Sequence, residues 1–245
     1  MFDNRNTYRN RMERQGLTSF TVTALQTNLQ ILADRDLSAE ATESLLTCRG
    51  YLEAFIEDHP DFATTLSPFV LNGPAPSIIR DMVAASAAAK VGPMASVAGA
   101  VAETVGRELC GLSAEVVVEN GGDTFIRVEE PLTMAIYAGN SPLSMKVGLS
   151  FNRTDRPFSV CTSSGTVGHS LSFGKADAVT IVAASASLAD AAATAVGNRV
   201  KTGRDIDGAV RLGKTIEGVE GIVIIVGRDV GLWGDVELVR LAKKS

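Results

Sequence analysis

The 245-residue sequence predicts an α/β (α+β) protein with an internally repeated helix and a cleft where the two copies meet the strands. Three observations carry that expectation. Apolar runs of strand length, alternating or continuous, recur between residues 17 and 241, separated by Gly, Asn and Pro. Alanine-rich stretches with apolar residues at helical spacing lie between them. Two of these stretches, MASVAGAVAETVG (94–106) and SASLADAAATAVG (185–197), are identical at seven of thirteen ungapped positions, as two equivalent helices of an internal repeat would be.

Composition narrows the class. With 45% hydrophobic and 21% charged residues the chain is an ordinary globular sequence, long enough for a large core. It is expected to form one domain over 1–245, built as two intimately packed halves with a boundary near 140–160. A net charge of −5 without a basic run leaves no electrostatic footprint for nucleic acid. The opening MFDNRNTYRNRMERQG lacks the apolar core of a secretory leader, and every long apolar stretch is broken by Gly, Ser or charge before it could span a membrane. Cys48, Cys110 and Cys161 are scattered, form no metal-type pair and fit a reducing cytoplasm.

Residues 17–33 alternate apolar and polar side chains and read as two strands broken near Thr27 and Asn28. Leu45, Cys48, Leu52, Phe55 and Ile56 at helical spacing, behind an N-cap candidate at Ser38, predict a helix over 38–58 that Pro60 ends. Four prolines between 60 and 76 predict a long ordered loop, with His59 as a helix-terminal residue. A helix follows from Ser77 to Lys90, and Gly92-Pro93 restarts the first of the two repeated helices. Strands are expected at 114–119, 124–128, 133–138, 145–151 and 158–161 as an antiparallel meander, with Asn-Gly hairpin chemistry at 119–123. Another strand at 178–184 leads into the second repeated helix; a helix at 206–215 and strands at 221–226 and 236–241 complete the chain. Trp233, the only tryptophan, reads as a packed strand-end residue.

The candidate chemistry concentrates in residues 160–198. Asp190 and Thr194 stand four apart on one helix face, amid Ala, Val and Leu. A carboxylate on such a surface must find a cation, a donor or a proton. An all-oxygen Asp/Thr pair suits Mg2+ or Ca2+ better than zinc; the alternative is that Asp190 accepts backbone N–H groups near a helix start. The repeat sets Gly99 against Asp190 and Glu103 against Thr194, and the cleft is expected where the two helices meet the strands. Ser163, Ser164, Gly165 and Thr166 form a hydroxyl- and glycine-rich loop ahead of His169. Such a loop holds an anion more readily than it builds a nucleophile and base, since no nucleophile-elbow pattern is present.

Several stretches resemble ApbE, the FAD:protein FMN transferases: NGGD at 120–123, the Ser-Gly loop with its histidine at 164–169, and ADAAATAVG at 189–197. The whole chain, through GPMASVAGAVAE, ENGGD, CTSSGTVGHSLSFGKADA and ADAAATAVGN, is still more similar to an uncharacterised, ApbE-related family of prokaryotic cytoplasmic proteins. The resemblance implies the ApbE-like fold of tandemly repeated strands and helices, with a flavin dinucleotide and Mg2+ between the halves. It implies metal ligands at Asp190, Thr194 and the Ala98 backbone carbonyl, with Ala95 as the competing alignment for that carbonyl. It places cofactor contacts at Asn120, Gly121, Gly122, Asp123, Ser163, Ser164, Gly165 and Thr166, and His169 as the catalytic candidate. Two motifs depart from the transferases. His169 is followed by Ser-Leu-Ser-Phe-Gly where they carry an Ile-Asp-Pro and Thr-Gly pattern, and Val-Gly-Pro-Met-Ala-Ser-Val-Ala-Gly replaces their Asp-Leu-Gly-Gly and Lys-Gly helix opening. With no acid following it, His169 is expected to bind or orient an anion with Ser164 and Thr166 rather than act as a base.

Three functions follow as expectations: a Mg2+- (or Ca2+-) dependent enzyme acting on FAD, FMN or a related diphosphate nucleotide; a non-catalytic flavin or nucleotide binder; and an enzyme for an unrelated small substrate on the same fold. The expected partner is a small-molecule nucleotide or flavin, with neither nucleic acid nor membrane, and a homodimer is an allowed assembly.

Overall fold

In the computed structural model, which describes residues 16–166 and 173–241, the chain builds two antiparallel sheets and a layer of helices. Strands β1 (Thr18–Ala24) and β2 (Thr27–Ala33) form a hairpin that buries Phe20, Val22, Leu29 and Ile31 while Ser19, Thr21 and Thr23 stay exposed. The turn falls at Leu25 and Gln26, two residues earlier than the sequence predicts. Leu25 takes a left-handed conformation (φ 51°) without the Gly or Asn that would have announced it.

Helix α1 (Ser38–Asp58) has the predicted span, but Leu37 is its N-cap residue and Ser38 is already helical. Asp36 turns the chain into it by accepting from the Ser38 N–H at 2.8 Å. The proline-rich stretch is not wholly irregular: α2 (Pro60–Thr64) makes one further turn, because proline at the first helical position surrenders an N–H that would have no partner there. Helix α3 (Ser77–Ala89) ends at Lys90, whose left-handed φ of 58° closes it. A 3-10 turn over Pro93–Ser96 opens onto α4 (Val97–Leu109), so the regular helix starts three residues later than the repeat suggested and runs three residues further.

Strands β3 (Val116–Asn120) and β4 (Asp123–Arg127) are the predicted hairpin, with positive φ at Gly121 and Gly122. The meander expected next does not form. Strands β5 (Leu132–Ala135) and β6 (Val147–Phe151) leave the main sheet and pair with late strand β11 (Glu237–Arg240) in the order β11-β6-β5. The chain rejoins the main sheet at β7 (Phe158–Ser163), followed by β8 (Ala178–Ala183), helices α5 (Ala186–Gly197) and α6 (Ile206–Lys214), and strands β9 (Val219–Val226) and β10 (Asp229–Gly234). Strand β10 has no counterpart in the sequence prediction; its core, Val-Gly-Leu-Trp-Gly, has too many glycines to read as a strand.

The eight-stranded sheet runs β1-β2-β3-β4-β7-β8-β9-β10, antiparallel throughout. Helices α1–α4 fall between β2 and β3 in the chain, and α5–α6 between β8 and β9, so a hairpin–helices–hairpin unit occurs twice. Strand alternation then assigns the faces. Val116 and Val118 pack with α1, α3 and α4, and Ile181, Ala183, Ile222 and Ile224 with α5 and α6. The intervening Val117, Val182, Val223 and Ile225 pack with Leu149 and Phe151 of the small sheet. Burial on both faces is why these strands read as continuous apolar runs. Gly106 lets α4 settle on β4: a Cβ there would stand 2.2 Å from Phe125 Cδ1.

Candidate metal and nucleotide site

Helices α4 and α5, the two repeated segments, meet through two acids. Ser96 precedes α4 but does not cap it, because its hydroxyl donates to the Pro93 carbonyl. The cap comes from the other helix. Asp190 Oδ2 accepts from the Gly99 N–H at 2.9 Å, and the Ala98 N–H also bonds the Asp190 carboxyl. Reciprocally, Glu103 of α4 serves the start of α5. Its Oε2 accepts from Ser185 Oγ (2.9 Å), Ala186 N (2.7 Å) and Ser187 N (3.3 Å), while Oε1 accepts from Arg107 Nε (2.9 Å) and Nη2 (2.6 Å). Each helix therefore lends a carboxylate to the positive end of its partner. The contact is close because residue 99 is glycine: a Cβ there would lie 2.2 Å from the Ala186 carbonyl oxygen and 2.9 Å from Asp190 Cβ. The pairing of Gly99 with Asp190 in the sequence repeat is thus a contact in space.

This geometry is the alternative reading of Asp190, with the helix start belonging to a neighbouring helix. It does not relieve the acid fully. Burial pushes the Asp190 carboxyl up to about 7, against the opposing pull of the Gly99 and Ala98 N–H groups. Asp123, the first residue of β4, is buried at 9% exposure and is raised well above the ordinary carboxylate range, by burial first and then by the charge of Asp190. The Cys161 thiol, across from it on β7, and the Thr162 N–H lower it in part, whereas Glu119 adds to the rise. Cys161 is itself raised by burial and by both aspartates. Two acids that share one buried space hold a site where a proton or a cation is favoured.

The NGGD turn sits beside them. Asn120 Nδ2 donates to the Ala98 carbonyl at 3.0 Å, so the oxygen expected to complete a metal site is engaged by a side-chain amide. Gly122 N–H donates to Glu119 Oε1 at 2.8 Å, and the Gly122 carbonyl accepts from Thr162 N at 3.2 Å, which ties the turn to the end of β7. Thr194 lies one turn beyond Asp190 and is partly buried. Among the described residues no group of three or more His, Cys, Asp and Glu side chains could hold an ion. The oxygens that could face an ion are those of Asp190 and Asp123, with the Thr194 hydroxyl one turn along α5. That sparse oxygen set fits Mg2+, which keeps waters and ligand phosphates in its shell.

The Ser-Gly loop leaves from the same end of the sheet. Ser163 ends β7 near the last turn of α5, 3.7 Å from where a Cβ on Gly197 would stand. Ser164 Oγ and Thr166 Oγ1 are 3.3 Å apart, Thr166 N–H donates to Ser164 Oγ (3.1 Å), and Thr166 Oγ1 donates to Asp177 Oδ1 (3.4 Å). Gly165 N–H donates to the Ala176 carbonyl, closing the two ends of the loop on each other. His169 lies outside the described residues. Sequence reasoning missed the roles of Glu103 and Asp177. The repeat had already flagged Glu103 by setting it against Thr194; Asp177 carried no signal.

The fold these elements make is that of ApbE flavin transferases. The chain superposes on the apo flavinyl transferase ApbE of Pseudomonas stutzeri with a TM-score of 0.60 at 14% identity, covering 89% of this chain and 93% of that one. On the ApbE protein of Thermotoga maritima the TM-score is 0.55 at 15% identity, with 88% and 96% covered. The family is given by sequence: a model described as AbpE bacteria matches residues 9–230, and the chain belongs to that family. It is 40% identical over 227 residues to a UPF0280 protein of Methanocaldococcus jannaschii (89% of this chain, 92% of the relative). It is 43% identical over 213 residues to one of Methanosphaerula palustris (86% and 88%). No helix among the described residues is long and apolar enough to cross a membrane.

Proposed function

We propose that the protein binds Mg2+ and a diphosphate-bearing nucleotide, a flavin dinucleotide or a relative of it, where α4, α5 and the NGGD turn converge. The observation that carries this reading is the buried Asp190–Asp123 pair, both held above the ordinary carboxylate range beside a hydroxyl and a polar loop. Asp190 and Thr194 would supply oxygens to the cation, with Asp123 contributing the second negative charge. The Ala98 carbonyl would join only by sharing or exchanging the Asn120 amide. Bound there, the cation would polarise a diphosphate as a Lewis acid. Ser164 and Thr166 would orient the anion through their hydroxyls, and His169, a few residues on in the sequence, would serve as a binding rather than a proton-abstracting group. Cytoplasmic location and a reaction other than protein flavinylation belong to the same proposal; the motif following His169 motivates the latter.

Calorimetric titration of Mg2+, with and without FAD, tests the reading. Saturable Mg2+ binding that Asp190→Asn weakens at least about tenfold, with the fold intact, is expected, since losing a ligand of a charged oxygen set costs at least about 1.4 kcal/mol. Unchanged affinity in that variant would return Asp190 to a purely structural role. Release of FMN and AMP from FAD in the presence of Mg2+ would distinguish an enzyme from a binder.

A further inference from the structure

We propose that Glu103 is a positioning residue for Asp190. Its carboxylate locks the start of α5 to α4, and that lock sets where Asp190 presents its oxygens. The proposal rests on the reading of Asp190 as a cation ligand and adds a residue that never touches the cation.

Glu103 is buried at 6% exposure, and five donors converge on its two oxygens: three from the first turn of α5 and two from the Arg107 guanidinium. A carboxylate offers about four lone-pair directions, so none is left for an ion. Asp190 follows Ala186 by one helical turn on α5, and the Gly99 N–H that it caps precedes Glu103 by one turn on α4. The two clasps are therefore adjacent rungs of a single helix–helix contact, with bare Gly99 fitted against Ala186 and Asp190 between them. Opening the Glu103 rung frees the start of α5, and the Asp190 carboxylate moves with it. A helix start would otherwise be open to an outside anion. At α5 that place is filled by Glu103, so a nucleotide's phosphates fall to the Ser-Gly loop and the cation.

The chemistry dictates the variants. In Glu103→Gln one oxygen remains, and the new NH2 group must face either Arg107 or the α5 N–H donors, so donor opposes donor. Removing the opposing guanidinium should repair this, because the Arg107 side chain is 60% exposed and its ion pair is dispensable. The test combines amide exchange at Gly99, read by NMR, with Mg2+ calorimetry on the full chain. It compares wild type, Glu103→Gln, Glu103→Ala, the double variant Glu103→Gln/Arg107→Gln, and Val101→Ala. The last is a core truncation on the same helix, outside the site. Expected in both single Glu103 variants are faster Gly99 exchange and a Mg2+ affinity weaker by about tenfold, the size that loss of a partner behind a metal ligand produces. The double variant should recover most of both, and Val101→Ala should lower the melting temperature without moving either. Unchanged Gly99 exchange in Glu103→Ala overturns the proposal. So does recovery of stability without recovery of affinity in the double variant. If Gly99 responds as stated but the wild-type protein binds no Mg2+, Glu103 still positions Asp190 and the cation reading fails by itself.

Discussion

Replacing Gly99 by alanine pits helix propensity against packing, and the structure says which wins. Alanine in a helix interior is favoured over glycine by about 1 kcal/mol. At position 99 the added Cβ would stand 2.2 Å from the Ala186 carbonyl oxygen, which is backbone and cannot rotate away, and 2.9 Å from Asp190 Cβ. Overpacking of this kind costs about 1–3 kcal/mol. The forced separation of α4 from α5 also breaks the charge-assisted Gly99 N–H to Asp190 bond, worth about 1.5–3 kcal/mol. The net change is a destabilisation of about 1.5–5 kcal/mol. For a chain of this length, with unfolding entropy of about 2.1 cal/mol/K per residue, that lowers the melting temperature by about 3–10 °C. Gly50, exposed in α1 with nothing within 4 Å of where its Cβ would stand, is the matched control, and its alanine variant should be stabilised by up to about 1 kcal/mol. Urea and thermal denaturation of both variants decide the matter. If Gly99→Ala gains stability as Gly50→Ala does, the close α4–α5 contact is wrong.

The raised carboxyl of Asp190 gives stability a pH dependence. A native state that binds a proton more tightly than the unfolded chain loses stability as pH rises, here from the ordinary 3.8 towards about 7, and Asp190→Asn should flatten that slope in denaturation curves taken across this range. Saturating Mg2+ should raise the melting temperature most at the top of the same window, where the carboxylate is ionised; no stabilisation at pH 8 would contradict the proposed ligand role. Asn120→Asp turns a donor into a carboxylate aimed at the Ala98 carbonyl and adds a further acid beside Glu119, Asp123 and Asp190, so it should cost about 1–3 kcal/mol in cation-free buffer and less with Mg2+ present. Cys161 is fully buried and its thiol is pushed well up, so a thiol alkylating reagent should modify partly exposed Cys110 first and reach Cys161 only on unfolding, as mass spectrometry of partly labelled protein would show.

How much of this was legible in the sequence follows from the range of the interactions. Helix α1 was readable because its signal, a 3.6-residue apolar period ending at Pro60, is local. Strand β10 was not, because it is defined by pairing with β9 at positions such as Gly231 and Gly234 that carry no β propensity. The departure of β5 and β6 from the meander is a tertiary choice as well. Met134 and Leu149 are as apolar as any main-sheet pair, and only their cross-sheet contacts place them. In the site, the acids were visible as residues and the repeat aligned Gly99 with Asp190, but alignment does not state contact: Glu103 finds Ala186, and Asp190 finds Gly99, across 83 and 91 positions.

The repeat was the one long-range signal the sequence did carry, and it explains why the two readings of Asp190 converge. A duplicated hairpin–helices–hairpin unit brings equivalent helices together at their starts, and each start needs an acceptor. The acceptor that α4 supplies is Glu103, shielded by Arg107 and committed to five donors. The acceptor that α5 supplies is Asp190, which has two backbone donors, no guanidinium counterpart to Arg107 among the described residues, and Asp123 as a neighbour. The two caps come from different positions of the repeat, Glu103 aligning with Thr194 and Asp190 with Gly99, and the first is neutralised while the second is left with spare charge. A carboxylate that caps a helix through Oδ2 retains lone pairs for a cation, so capping and metal binding are compatible roles of one side chain. The asymmetry between Glu103 and Asp190, more than either acid alone, singles out the α5 side of the contact as the place where a cation would be held.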